Sequence, residues 1–247
     1  MDAPLSLLLL VALAAFLVGL SKGGLPAVAT LGVPVLALVM SPVAAAALLL
    51  PIYIATDWVG LWLYRRNYSA RNLRILIPAG LFGVLVGWAI ASHISDDAVG
   101  LLVGVIGIAY CLNAWLRHDP LAEARPADVP RGIFWGTLAG FTSFVSHSGA
   151  PPFQMYVLPQ KLEKLAFAGT ATILFAIINV AKLVPYWELN SFGAVDPMLP
   201  LLALPVGILG TWVGAKLTRA MPDKLFFQLV QAALFLVSLK LIWDAVV

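Results

Sequence analysis

The fold class predicted is an all-α polytopic membrane protein made of two inverted repeats, each a broken or re-entrant helical hairpin followed by three transmembrane helices. Three observations predict it. The chain of 247 residues is 62% hydrophobic and only 11% charged, where a soluble domain carries about 25% charged residues. Several apolar runs approach or exceed the ~18 residues that mark a membrane span. The Lys and Arg residues of the connecting loops change sides between the two halves, which by the positive-inside rule gives the halves opposite orientation.

In order, the apolar segments are 4–20, 25–40, 43–64, 75–92, 99–116, 133–147, 152–160, 165–187, 198–217 and 225–243. The N-terminal run "MDAPLSLLLLVALAAFLVGL" has no basic start and carries Asp2, so it reads as retained rather than as a cleaved signal. The longest polar connection, "RHDPLAEARPADVPRG" at 117–132, is the natural midpoint. It divides the chain into repeat 1 (1–116), a cytoplasmic linker (117–132) and repeat 2 (133–247). The frame P-x-G-x-x-G-x-x-x-G occurs in both halves, as "PAGLFGVLVG" (78–87) and "PVGILGTWVG" (205–214). Gly80, Gly83 and Gly87 fall opposite Gly207, Gly210 and Gly214, and Gly19 falls opposite Gly140. Small residues at this spacing let membrane helices approach closely, so these glycines read as packing residues rather than ligands.

The loop at 65–74 holds Arg65, Arg66, Arg71 and Arg74, while its counterpart 188–197 holds no basic residue. The loop 93–98 has none, while its counterpart 216–224 has Lys216, Arg219 and Lys224. Opposite orientation requires an odd number of crossings per repeat. Three full spans per half meet that condition if 4–40 and 133–160 each enter, break and return to the same side. Segment 152–160 is too short to cross ~30 Å of hydrocarbon at ~1.5 Å per residue. Both termini then lie outside the cytoplasm. Lys240 fits this layout if it snorkels outward from the last turn.

The breaks carry the chemistry. In "VGLSKGGLPAVATLGVP" (18–34), Gly23 and Gly24 permit a tight reversal and Pro26 suits the first turn of a returning helix. In "SFVSHSGAPP", Gly149, Pro151 and Pro152 do the same. Non-helical backbone at membrane depth is tolerated where protein buries it or where it lines a watery cavity. Two such tips meeting near the midplane form the architecture of many secondary transporters. Helix N-termini at the tips favour anions. Lys22 adds a charge, and Ser21, Ser146, His147 and Ser148 add donors. A lysine facing lipid would cost ~2.5–3.5 kcal/mol, so Lys22 implies a polar cavity or, alternatively, a structural pair with Asp57. Asp57, inside 43–64, reads as proton carrier, counter-ion or sodium ligand. Its approximate counterparts are Asn179, a ligand contact, and Lys182, which either neutralises an anion or pairs with Glu188. Thr170 and Thr172 either line the path or bond between helices. Pro51 and Pro185 are expected to kink their helices. Trp58, Trp62, Trp115, Trp187 and Trp243 read as interface anchors.

Cys111 is the single cysteine, which excludes an intrachain disulfide and a cysteine metal cluster; no metal or cofactor is expected. The net charge of +3 fits basic cytoplasmic loops rather than nucleic-acid binding. There is no G-x-x-x-x-G-K-[ST] loop for ATP. "SHSG" pairs serine with histidine, but neighbours on one helix point apart, which disfavours a hydrolase.

At "GLSKGGLPAVATLGVPVLAL" and "SHSGAPPFQMYVLPQKLEKLAFAGTATILFAIINVAKLVPY" the sequence resembles the sulfite exporter TauE/SafE family of membrane permeases, over nearly the whole chain. The resemblance implies an inner-membrane, multi-pass protein that moves sulfite, a small sulfonate or a related organic anion. The break S-H-S-G-A stands where many relatives are richer in glycine. The expected function is secondary transport or export of a small anion by alternating access around Ser21, Lys22, Gly23, Gly24, Ser146, His147, Ser148, Gly149, Asn179 and Lys182, with Asp57 as the coupling group. An anion channel of the same architecture is the alternative, and an intramembrane enzyme the lesser one. The expected partners are a small anionic substrate and the lipid bilayer, with a homodimer a possible assembly.

Overall fold

The computed structural model describes residues 5–90, 96–116 and 123–246. All regular structure among the described residues is helical. The first half runs through α1 (Leu5–Lys22), a 3-10 turn (Pro26–Leu31), α2 (Gly32–Ala37), α3 (Pro42–Tyr64), α4 (Ala70–Ile90) and α5 (Asp96–Leu116). The second runs through α6 (Val129–Ser146), α7 (Ala150–Val157), a 3-10 turn (Leu158–Gln160), α8 (Lys164–Ala181), α9 (Leu183–Glu188), a 3-10 turn (Ser191–Ala194), α10 (Met198–Ala220) and α11 (Asp223–Val246).

The starts of these helices follow local rules. Ser41 caps α3 by accepting from the Ala44 amide at 3.3 Å, with Pro42 in the first turn. Asp128 caps α6 by accepting from the Arg131 amide at 2.8 Å. α10 stops where Met221 turns extended ahead of Pro222, as a residue before proline tends to.

Six described stretches are long and apolar enough to cross a membrane: Leu5–Lys22, Pro42–Tyr64, Ala70–Ile90, Lys164–Glu188, Met198–Ala220 and Asp223–Val246. α5, at 21 residues, has the length of the span expected over 99–116. The first arm of the first hairpin, expected over 4–20, is by itself long and apolar enough to cross. α1 alone has 18 residues, about 27 Å of helix. Its return is only the 3-10 turn and the six residues of α2, and the return of the second hairpin is the eight residues of α7.

Several boundaries differ from the hydropathy reading for one reason. Polar residues in an exposed terminal turn extend a helix without adding apolar character. Arg71 and Arg74 lie in the opening turns of α4, and Lys216 and Arg219 in the closing turns of α10, rather than in loops. The expected loop 93–98 and the residues 117–122 lie largely outside the described residues. The span 165–187 is broken at Lys182, between α8 and α9. Pro185 has no N–H to give the Ala181 carbonyl, which opens the helix there. α3 runs on through Pro51.

The glycine frames decide the packing. α10 lies along α1, α4 lies along α6, α5 lies along α11, and α3 lies against α8. A Cβ on Gly210 would sit 2.5 Å from the Phe16 carbonyl oxygen, and one on Gly23 2.5 Å from the Gly214 backbone. A Cβ on Gly83 would stand 2.8 Å from the Phe141 amide, and one on Gly140 2.8 Å from the Gly80 Cα. Each frame thus clasps the broken arm of the other half. α3 and α8–α9 occupy the centre: of their most apolar 18 residues, 67% and 61% are buried, against 28% for α11.

The basic segments gather at one end. Arg71 Nε donates to the Ala127 carbonyl at 3.0 Å, Arg219 Nη2 to the Leu63 carbonyl at 3.2 Å, and Lys164 pairs with Asp223 at 3.2 Å. At the last helix, Lys240 pairs with Asp244 one turn on. Trp58, Trp62, Trp115, Trp187 and Trp243 are all exposed on the outer faces of their helices.

Candidate functional site

The two breaks come together. One cavity is lined by Ser21, Lys22 and Pro26 from the first, Ser143, His147 and Ala150 from the second, Tyr53 from α3, and Thr172, Phe175 and Asn179 from α8. Its depth follows from Tyr53, which stands at the midpoint of α3 (Pro42–Tyr64). The cavity is small, about 20 Å³, room for roughly one water. Any larger solute needs the walls to move apart.

Lys22 is the last residue of α1 and is buried. Its Nζ lies 2.6 Å from Asp57 Oδ1. Asn179 Nδ2 donates to the other carboxylate oxygen, Oδ2, at 2.8 Å. Asp57 is therefore held from both halves of the chain at once.

A second cluster also reaches the Tyr53 ring. Lys182 Nζ lies 2.7 Å from His147 Nδ1, 3.0 Å from the Ser143 carbonyl oxygen and 3.3 Å from Ser143 Oγ. His147 Nε2 faces the Ala46 carbonyl oxygen at 3.1 Å. A carbonyl only accepts, so Nε2 carries the ring proton and Nδ1 accepts from Lys182. Tyr53 binds the two clusters together. Its ring stacks on His147 at 4.8 Å, Lys22 Nζ lies 5.1 Å above the same ring and Lys182 Nζ 6.0 Å, and its hydroxyl donates to the Ala29 carbonyl at 3.0 Å.

Local backbone places these groups. His147 ends α6 in the left-handed region, φ 54°. That conformation costs a side-chain-bearing residue roughly 1–2 kcal/mol, and such strain is found where it aims a functional side chain. Gly24, φ +123°, makes the first reversal. A side chain there would be strained and would meet Thr218 Oγ1 at 2.5 Å.

The family described as "Sulfite exporter TauE/SafE" matches residues 11–241. The chain belongs to that family. Over 214 residues, 69% of the TauE/SafE chain, it is 23% identical to "Probable membrane transporter protein MamO" of Paramagnetospirillum magneticum, covering 33% of that protein. Its identity to the protein of the same description in Magnetospirillum gryphiswaldense is 22% over 214 residues, covering 34% of it. It also matches "Protocadherin alpha-12" of Homo sapiens at 26% over 131 residues, 52% of this chain and 14% of that one. The TauE/SafE chain thus spans about a third of the length of the MamO relatives. No solved structure matches it.

Within this TauE/SafE chain, the residues expected at the site divide into three groups. Lys22, Ser21, His147 and Asn179 line the cavity, with Asp57 and Lys182 bonded directly behind them. Gly23, Gly24 and Gly149 shape the turns and pack against neighbouring helices. Ser146 and Ser148 line a separate, wider hollow of about 380 Å³, together with Thr30, Pro42, Lys240 and Asp244. Lys182 turns to His147 and Ser143; Glu188 is exposed. Thr172 lines the cavity and donates to the Lys22 carbonyl at 3.3 Å. Thr170 instead accepts from the Ser69 amide at 2.9 Å, fixing the α3–α4 turn. Sequence reasoning missed Tyr53 and Ser143. Tyr53 lies four residues before Asp57 on the same helix and so shares its face, while Ser143 lies in the last turn of α6, just ahead of the left-handed His147.

Proposed function

We propose that the chain is a secondary transporter of a small anion, such as sulfite or an organosulfonate, across the inner membrane. The observation that carries this reading is the meeting of two polar helix breaks, one from each half, around Lys22, Lys182, His147 and Asn179 at the depth of Tyr53. Two inverted repeats, 1–116 and 133–247, joined by a cytoplasmic linker at 117–132, are the frame for alternating access. The matched packing of α10 on α1 and α4 on α6 supports that frame, and the clustering of basic segments at one end supports placing that end in the cytoplasm and both termini outside. The MamO relatives are described as probable membrane transporters, which supports the same class.

Asp57 occupies the place an anion would take beside Lys22. It is the built-in counter-ion, and an arriving anion competes with it. Movement of one repeat against the other draws Asn179 on α8 away from the Lys22–Asp57 pair on α1 and α3, and this loosening couples binding to opening. The narrowness of the cavity favours such a gated carrier over a continuously open anion channel. A hydrolytic role has no support. Ser146 Oγ donates to the Thr142 carbonyl at 3.4 Å, Ser148 Oγ to the Ser146 carbonyl at 3.3 Å, and both His147 nitrogens are engaged elsewhere.

The test is uptake into proteoliposomes of sulfite, sulfate, methanesulfonate and acetate. Saturable, counter-exchanging flux of at least one anion is expected. Absence of flux for all four sinks the reading, and non-saturating flux without exchange favours the channel.

A further inference from the structure

Resting on that anion reading, we propose that Lys182 is the proton carrier of this site: it is a neutral amine when the cavity holds no anion and takes one proton from solvent when a monoanion binds, so that anion and proton travel together.

The charges facing Lys182 set the argument. From α1 comes Lys22, from α3 Asp57 and Tyr53, and from the end of α6 His147, which Tyr186 of α9 flanks. The one carboxylate in this set is already engaged, by Lys22 at 2.6 Å and Asn179 at 2.8 Å. The ion pairs among the described residues are Lys22–Asp57, Lys164–Asp223 and Lys240–Asp244, and none includes Lys182. Yet Lys182 has no exposed surface. A buried ammonium without a counter-ion is strongly disfavoured. His147 lends it no negative charge, because its proton on Nε2 is held by the Ala46 carbonyl.

The hydrogen bonds of Lys182 accept either protonation state. The Ser143 carbonyl and His147 Nδ1 must each receive a hydrogen, which the two N–H bonds of a neutral amine supply. The third neighbour, Ser143 Oγ at 3.3 Å, is a hydroxyl that donates or accepts. It donates to the amine lone pair and accepts from the ammonium. Adding the proton therefore breaks no contact and only turns one hydroxyl. Protonating Asp57 instead would weaken both of its anchoring bonds.

Lys182 stands one layer behind the cavity wall, with Ser143 and His147 lining it. An anion there supplies the missing negative charge at short range. The proton moves from bulk water to the Nζ lone pair on loading and returns to water on the far side when the anion leaves. Reciprocity requires that protonation tighten anion binding by the same factor. The break of the helix at Lys182 gives that residue freedom to follow the rearrangement.

The experiment uses the purified full chain in detergent, with weak buffering and a pH indicator. It is titrated with sulfite, methanesulfonate, acetate and nitrate, and binding is followed in parallel by calorimetry. Methanesulfonate and nitrate, anions of strong acids, bring no proton of their own. Uptake approaching about one proton per anion bound is expected for the wild type. K182R, permanently charged, binds the anion with no uptake. K182Q binds about tenfold or more weakly and takes up none. Anion binding without proton uptake in the wild type, or undiminished uptake in K182R, overturns the proposal while leaving the anion reading intact. If none of the four anions binds, the anion reading itself fails and this proposal falls with it. Gel filtration confirms that each variant is folded, and the wild-type stoichiometry decides the matter even if K182Q is not.

Discussion

Replacing Lys22 separates its observed role as partner of Asp57 from its proposed role as anion ligand. At 2.6 Å the Coulomb attraction of the pair is about 6 kcal/mol for an effective dielectric constant of ~20. Desolvation of both charges offsets much of it, and breaking a buried pair by removing one member costs about 3–5 kcal/mol. Lys22→Met leaves the Asp57 carboxylate with Asn179 as its remaining bonded partner, and Asp57→Asn leaves the Lys22 ammonium without its carboxylate. Each single variant is expected to lose about 3–5 kcal/mol of stability, while the double variant, with no unpaired charge, falls within about 1–2 kcal/mol of the wild type. The assays are denaturation in mixed detergent and anion uptake in proteoliposomes, on the same preparations. If Lys22 contacts the anion, the double variant regains stability and not transport. A double variant that transports like the wild type refutes the reasoning and reduces Lys22 to a neutralising partner.

Three further outcomes are expected. Gly140→Leu forces a side chain into the backbone of Gly80, which cannot swing aside, so it costs at least about 1–3 kcal/mol. Gly207→Ala, where the nearest atoms are side-chain methyls 3.1 Å away, costs less; comparing the two in the denaturation assay checks this. Cysteine probes at 65–74 and 216–224 label from the cytoplasm, and probes at 188–197 from outside; labelling of 65–74 and 188–197 from one face contradicts inverted repeats. In Asp57→Asn, the pH dependence of residual flux persists if Lys182 carries the proton and vanishes if Asp57 does, which flux measured across a pH series decides.

Much of the fold is legible in the sequence. Composition alone dictates helices in a membrane, because apolar runs of this length have no other solvent and their backbone must bond internally. Gly23, Gly24 and Pro26, and Gly149 with Pro151, mark the breaks through backbone rules that act within a few residues. Lys22 and Asp57 stand out because charge in an apolar run needs a reason. What sequence could not rank was the set around His147. Ser146, His147 and Ser148 look alike as donors, yet a left-handed turn at His147 sends the histidine to one cavity and the two serines to another. Tyr53 looked like one more aromatic residue in an apolar helix.

The sequence by itself determined the membrane class, the two breaks and the glycine frames, since each depends on hydrophobicity or backbone freedom that neighbouring residues carry. Only the tertiary structure decided which glycine frame meets which broken arm, that Asp57 is shared between Lys22 and Asn179, and that Lys182 turns to His147 rather than to Glu188. The side-chain pairings alone span 35 to 122 residues; all of these contacts are set by close packing of whole helices, and no local pattern encodes them.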